Sequence, residues 1–174
     1  MTLLTDEVRS YIGVEGPRIA ACDVIEAGAV RRYAQAIMDR DEAYHKGHPD
    51  VAGGRPIAPP LYPVFMFRAP FDSPDYLTER ASDPDFDGAV SGVSNGLPEL
   101  PLHGFALLNG GAEVEFFRHA EHGETVYQQA RYVDITERMS KSGPMLLVIV
   151  DTLYTTESGE PLMRYRKTLI RRRG

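Results

Sequence analysis

The chain has 174 residues, 43% of them hydrophobic, which is enough for one buried core and short for two, so a single domain over residues 1–174 is expected. A formal net charge of −6, with Arg171, Arg172 and Arg173 as the one basic cluster, excludes a nucleic acid as main partner, because that binding rests on dense Lys and Arg. One cysteine excludes an intramolecular disulfide, the first residues lack the pattern of a signal peptide, and the longest apolar run, Met145 to Val150, is too short to cross a bilayer, so a cytoplasmic protein without a membrane partner is expected.

Thr5 followed by Asp6 and Glu7 predicts a capped short helix through Tyr11, with acids where the helix dipole favours them. Arg18 to Ile25 has the β-branched character of a first strand, with Cys22 as a small buried residue in it. Val30, Tyr33, Ala34 and Ile37 then fall at helical spacing, so Asp39 sits just past that helix at its carboxyl end. His45 to Pro56 holds glycines and prolines and reads as loop. Leu61 to Phe67 is apolar enough to begin a longer helix, with Pro63 tolerable in its first turn, yet Pro63 and Pro70 limit how far it can run unbroken.

Residues 72–102 are rich in Asp, Ser, Pro and Gly and read as an insertion that is either a lid-like loop, a partner-binding loop, or partly helical around Tyr76 to Arg80. The remainder predicts sheet. Ala112 to Phe117 alternates acids with apolar residues, Glu124 to Thr136 makes a second strand, and Met145 to Thr156 begins so apolar that both faces must be covered. Glu157 to Glu160 is a hairpin turn, and Leu162 to Arg172 closes the sheet. Helices first and meandering strands after suit an α+β fold, an antiparallel sheet wrapped around a helix.

Two stretches carry the chemistry: Met38, Asp39, Arg40, Asp41, Glu42, Ala43, Tyr44, and then Ile57, Ala58, Pro59, Pro60. Further pieces follow in Leu108 to Arg118, Ser142-Gly143-Pro144 and Thr168 to Arg172. Together they resemble the MaoC-like N-terminal dehydratase domain, within the hot-dog-fold (R)-specific enoyl-CoA hydratases and dehydratases. Active members of that superfamily carry Gly-Asp-x-Asn-Pro-x-His, supplying a carboxylate and an imidazole, and a later Ile-Ala-His-Gly that opens the central helix. The resemblance implies a hot-dog fold and an acyl thioester of coenzyme A or acyl carrier protein as substrate, with no cofactor. In this frame Asp39 keeps the carboxylate, Tyr44 stands where the imidazole would be, and Pro60 stands where a glycine N–H would polarise the thioester oxygen. Proline has no N–H. Losing a general base costs about 10²–10⁴ in rate and losing one oxyanion donor about 10²–10³.

Each candidate residue also has a plainer reading. Asp39 is either the surviving catalytic carboxylate or a solvated acid at a helix end; Asp41 and Glu42 read as exposed charges. Tyr44 is either an aromatic filling the lost histidine's volume or a hydrogen-bond donor to a thioester. A one-residue shift would restore an Asp39/His45 dyad. Pro59, Pro60, His103, Asn109, Gly110 and Gly111 are the substrate-binding candidates, the glycines being equally a β-bulge. His45 with His48, and His119 with His122, have three-residue spacing but lack a third ligand, so surface histidines rather than a metal site are expected. Arg171 to Arg173 are candidates for the phosphates of coenzyme A or for a solvated tail.

The expectation is a hydratase/dehydratase subunit for trans-2-enoyl thioesters that pairs with a second hot-dog subunit, in a homo- or hetero-oligomer, and forms the degenerate half beside a catalytic partner. A self-sufficient homodimer on an unusual substrate, a non-catalytic acyl-thioester binding module and a thioesterase remain open alternatives, because fold does not settle function.

Overall fold

The structure is a computed structural model that describes residues 2–51, 53–67, 72–73, 78–79, 81–84 and 95–173. Its frame is one antiparallel sheet of five strands: β1 (Ile19–Val24), β2 (Phe105–Phe116), β3 (Thr125–Ser140), β4 (Gly143–Thr156) and β5 (Pro161–Arg173). They lie in the order β1-β3-β4-β5-β2, which leaves β1 and β2 as the two edges. Helix α1 (Asp6–Arg9) is capped by Thr5, whose side chain accepts from the Val8 N–H as expected, but it stops short of Tyr11. Helix α2 (Ala27–Ala36) buries Val30 and Ala34. Ile37, assigned to the same stripe, lies past the last helical turn and is 47% exposed.

Several expectations change. Cys22 is exposed, because on edge strand β1 it is Ala21 that points inward. Leu61 to Phe67 does not open a long helix. Only Tyr62–Phe65 coils, as a four-residue 3-10 helix with Pro63 in its first turn, and Met66 and Phe67 leave it. The last part of the 72–102 segment is core rather than lid, since Leu97, Leu100 and Leu102 are buried against Ala130, Leu146 and Val148. The Tyr132 hydroxyl holds it there by donating to the Pro98 carbonyl at 2.9 Å. The helix expected around Tyr76 to Arg80 falls largely outside the described residues.

Strand β2 begins at Phe105, seven positions before the alternation becomes readable, because a bulge between Asn109 and Ala112 breaks the period. A second bulge between Tyr132 and Asp134 lets β3 run on to Ser140. The basic tail is divided by the period of the strand. Arg172 turns to Ser142, Arg173 stacks over Phe105, and Arg171 lines a cavity.

The apolar interior forms two clusters. One gathers Ile25, Val30, Tyr44, Ile57, Tyr62 and Leu162 under α2; the other gathers Leu3, Val8, Leu97, Ile135, Leu146 and Val148. Between them the inward face of the sheet changes from apolar to polar.

Candidate active site

The loop after α2 is built by its own side chains. Met38 takes a left-handed conformation, φ 59°, where the resembling frame has glycine, and this lets the Asp39 N–H reach back to the Ala34 carbonyl at 2.9 Å. A side chain in that conformation costs about 1–2 kcal/mol. Asp39 Oδ1 then accepts from the Asp41 N–H at 3.1 Å, and Asp41 Oδ1 accepts from the Ala43 N–H at 2.9 Å. Asp41 is therefore more than an exposed charge: it caps the 3-10 turn Glu42–Tyr44. That turn carries the Tyr44 ring inward and sets its hydroxyl 2.6 Å from Asp39 Oδ2.

Tyr44 is only 9% exposed, and burial first, then the Asp39 bond, push its hydroxyl well above the usual tyrosine range. It stays protonated and donates to the acid. Both oxygens of Asp39 thus already accept a hydrogen bond. The Asp39/His45 dyad does not form, because the short turn directs position 44 at the carboxylate. His45 lies exposed at the end of the turn, with its N–H on the Glu42 carbonyl.

The Ile57 to Pro60 segment is equally committed. The Ile57 N–H donates to the Ala43 carbonyl at 3.1 Å and the Ala58 N–H to the Ala120 carbonyl at 2.8 Å. Pro59, fully buried, and Pro60, exposed, have no N–H to offer. No amide among these four residues is left to polarise a carbonyl. Pro60 borders a cleft of about 320 Å³ whose far wall is Phe116, Phe117 and His119.

Charge pairs brace this segment from below. Arg55 pairs with Glu121, and Arg118 pairs with Glu124 at 2.6 Å and Glu160 at 2.9 Å. Burial works to raise Glu124, but its bonds from Arg118 and from the Glu121 N–H win, and its carboxyl titrates below the usual range. His122 is not a surface histidine: its Nε2 is buried without a hydrogen bond, and burial lowers its affinity for a proton against the opposing pull of the Ile57 backbone. His48 and His119 come together from the two spaced pairs, ring centres 5.1 Å apart. Among the described residues no three ligating side chains gather as a metal site would need.

On β2, His103 is exposed in the turn before the strand. Gly110 and Gly111 form the bulge: a Cβ on Gly110 would meet Thr168 at 2.9 Å, and Gly111 has φ 112°. Asn109 Oδ1 accepts from the Gly111 N–H at 3.0 Å, so this side chain shapes the bulge. None of these four lines either cavity among the described residues.

The model of the FAS1-like, dehydratase domain region matches residues 11–165. The chain belongs to that family. No curated protein matches it. Solved structures similar to this MaoC-like chain share its hot-dog fold. The ChsH1–ChsH2 complex from Mycobacterium tuberculosis aligns with TM-score 0.64 and 14% identity, over 94% of this chain and 85% of that one. The HadBC (3R-hydroxyacyl-ACP dehydratase) complex from Mycobacterium tuberculosis gives 0.55 and 14%, over 92% and 96%. The (R)-hydratase from A. caviae involved in PHA biosynthesis gives 0.53 and 15%, over 91% and 94%. No described helix is long and apolar enough to cross a membrane.

In this dehydratase-region chain the second cavity, about 240 Å³, lies between the two apolar clusters. Thr152, Tyr154, Tyr165 and Lys167 line it together with Leu100 and Val148. Sequence reading missed these four. The available signal was phase: positions 152 and 154 on β4 and 165 and 167 on β5 share the face of Val148, Val150 and Leu169, yet carry polar groups.

Proposed function

We propose that this chain is the acyl-binding half of a paired MaoC-like hydratase/dehydratase. It supports reversible hydration of a trans-2-enoyl thioester of coenzyme A or acyl carrier protein without a cofactor, and a second hot-dog subunit supplies the acid and the base. The observation that carries this reading is the internal closure of the frame: Asp39 is held by Tyr44 and Asp41, and no N–H among residues 57–60 is available. Edge strand β2 offers a place for the partner. It is twelve residues long, pairs on one side only with β5, and exposes Leu108 and Phe116. An open edge of that length is a template for another strand. Two of the similar structures bear the names of complexes, which fits a paired arrangement here.

The test is hydration of a trans-2-enoyl-CoA by the purified chain, alone and with a hot-dog subunit encoded beside it. The chain alone should fall short of the pair by about 10⁴ or more, from the combined loss of base and oxyanion donor. Asp39→Asn and His45→Ala should leave the rate of the pair unchanged. Turnover by the chain alone that Asp39→Asn abolishes would overturn the proposal in favour of a self-sufficient enzyme. Thiol release from saturated acyl-CoA would mark a thioesterase.

A further inference from the structure

Strand alternation divides the apolar run of β4 between two faces of the sheet. Leu146, Val148 and Val150 are buried in the second core cluster, so Met145, Leu147 and Ile149 stand on the outer face. Register carries that face across the strands: Leu147 lies opposite Ile170 of β5, and Ile170 lies opposite Leu108 of β2. These five apolar side chains adjoin one another, and none belongs to either core cluster. Helices α1 and α2 and both 3-10 turns place their buried apolar side chains in those clusters, on the inward face. Among the described residues, no helix is left to cover the outer face. Single exposed apolar residues are ordinary, whereas a contiguous patch marks an interaction surface.

The charges around the patch are self-complementary. One row toward the turn between β3 and β4, Arg138 and Arg172 flank Met145; one row the other way, Asp134 flanks Ile149. Neither Asp134 nor Arg138 is in an ion pair: the Asp134 carboxylate accepts only the N–H of Ile135, and Arg138 makes no hydrogen bond. A two-fold axis laid against the face along the Leu147, Ile170 and Leu108 row sets each strand over its own counterpart with direction reversed. That operation brings Arg138 of each copy over the Asp134 position of the other, and Met145 over Ile149. An axis along the strands would set the Arg138 and Arg172 row against itself, so like charges disfavour it.

We infer that two copies of this chain pack outer face to outer face about the first axis, with Leu147, Ile149 and Ile170 as the shared apolar centre and Arg138 of each copy paired with Asp134 of the partner subunit. Such a contact is isologous, the same patch serving both copies, and closes at two. Sheets stacked this way lie about 10 Å apart with their side chains interleaved. The contact uses the face of the sheet rather than the β2 edge, so it coexists with a strand added at that edge and does not rest on the hydratase reading.

Sedimentation velocity of the full chain over a concentration series tests this, and a monomer–dimer equilibrium is expected. Leu147→Glu should abolish the dimer while circular dichroism shows the fold retained, because position 147 lies outside both cores. Arg138→Asp and Asp134→Arg should each weaken association about tenfold or more, since each sets like charges together twice. The double variant, Arg138→Asp with Asp134→Arg, restores opposite charges and should regain association. A chain that stays monomeric would overturn the inference, and so would a double variant that fails to recover. A dimer indifferent to Leu147→Glu would assign self-association to another surface and overturn it as well. Flotation of a monomeric chain with phosphatidylserine vesicles, lost in Leu147→Glu, would give the face to a lipid surface and also overturn it.

Discussion

The Asp39 loop and the cavity between the cores use polar groups in opposite ways. In the loop, the acid that the dehydratase frame retains and the one that replaces its asparagine are both turned onto the protein itself: Asp39 onto Tyr44 and Asp41, Asp41 onto Ala43. In the cavity, Thr152, Tyr154, Tyr165 and Lys167 make no such bonds with a described residue. Internal satisfaction stabilises a fold and removes reactivity. Polar groups that stay open to water keep their hydrogen bonds to solvent instead. The contrast separates a loop whose polar groups are closed on the protein from a cavity whose polar groups are open.

The largest expected effect on stability lies beside the cavity. Leu100→Ala should cost about 2–5 kcal/mol in urea denaturation, because Leu100 is 6% exposed and packs in the second core. A lid residue would lose nothing measurable, so an unchanged midpoint would return residues 95–102 to the lid reading. Next is Tyr44→Phe, which removes a donor from a carboxylate in a partly buried place and should cost about 1–3 kcal/mol. If Tyr44 were instead the proton donor to substrate, the change would lower turnover of the pair and barely move stability. Met38→Gly should stabilise by about 1 kcal/mol, since glycine takes φ 59° without the steric penalty.

The smallest effect is a titration. His122 binds a proton less readily folded than unfolded, because burial disfavours its charge. The unfolded state then takes up more protons below about pH 6.5, so stability is fully present above that pH and declines as pH falls through this range toward the lower folded value. Glu124, held below the usual carboxylate range, contributes a second loss only at more acidic pH, beneath about 4.3. His122→Gln should flatten the first step and leave the second; a curve unchanged by that substitution would place the titrating group elsewhere.

Reading the strands from sequence succeeded where an apolar run was continuous, as in Met145 to Thr156, which is β4 but for its first two residues. It failed at the bulges. Asn109, Gly110 and Gly111 interrupt the alternation inside β2, so the first half of that strand was not visible as strand. It failed again at Leu97, Leu100 and Leu102, whose spacing among prolines and glycines has no regular period although all three are core. For the candidate site, the residue types of the frame were legible, including the missing imidazole and the missing N–H of Pro60. Their partners were not.

The amino-acid order by itself determined the α+β class, the family frame at Asp39, Tyr44, Pro59 and Pro60, and the absence of an amide hydrogen on the prolines, because these follow from covalent structure and local period. Only the tertiary structure decided that Tyr44 rather than His45 closes on Asp39, that the Ile57 and Ala58 amides are already engaged, and that Lys167 meets Thr152 and Tyr165 in one cavity. Those outcomes depend on how the turn after α2 closes and on which segments lie side by side and in what register; a bond such as that from Ala58 to Ala120 is a property of the folded assembly of segments, which no local pattern contains.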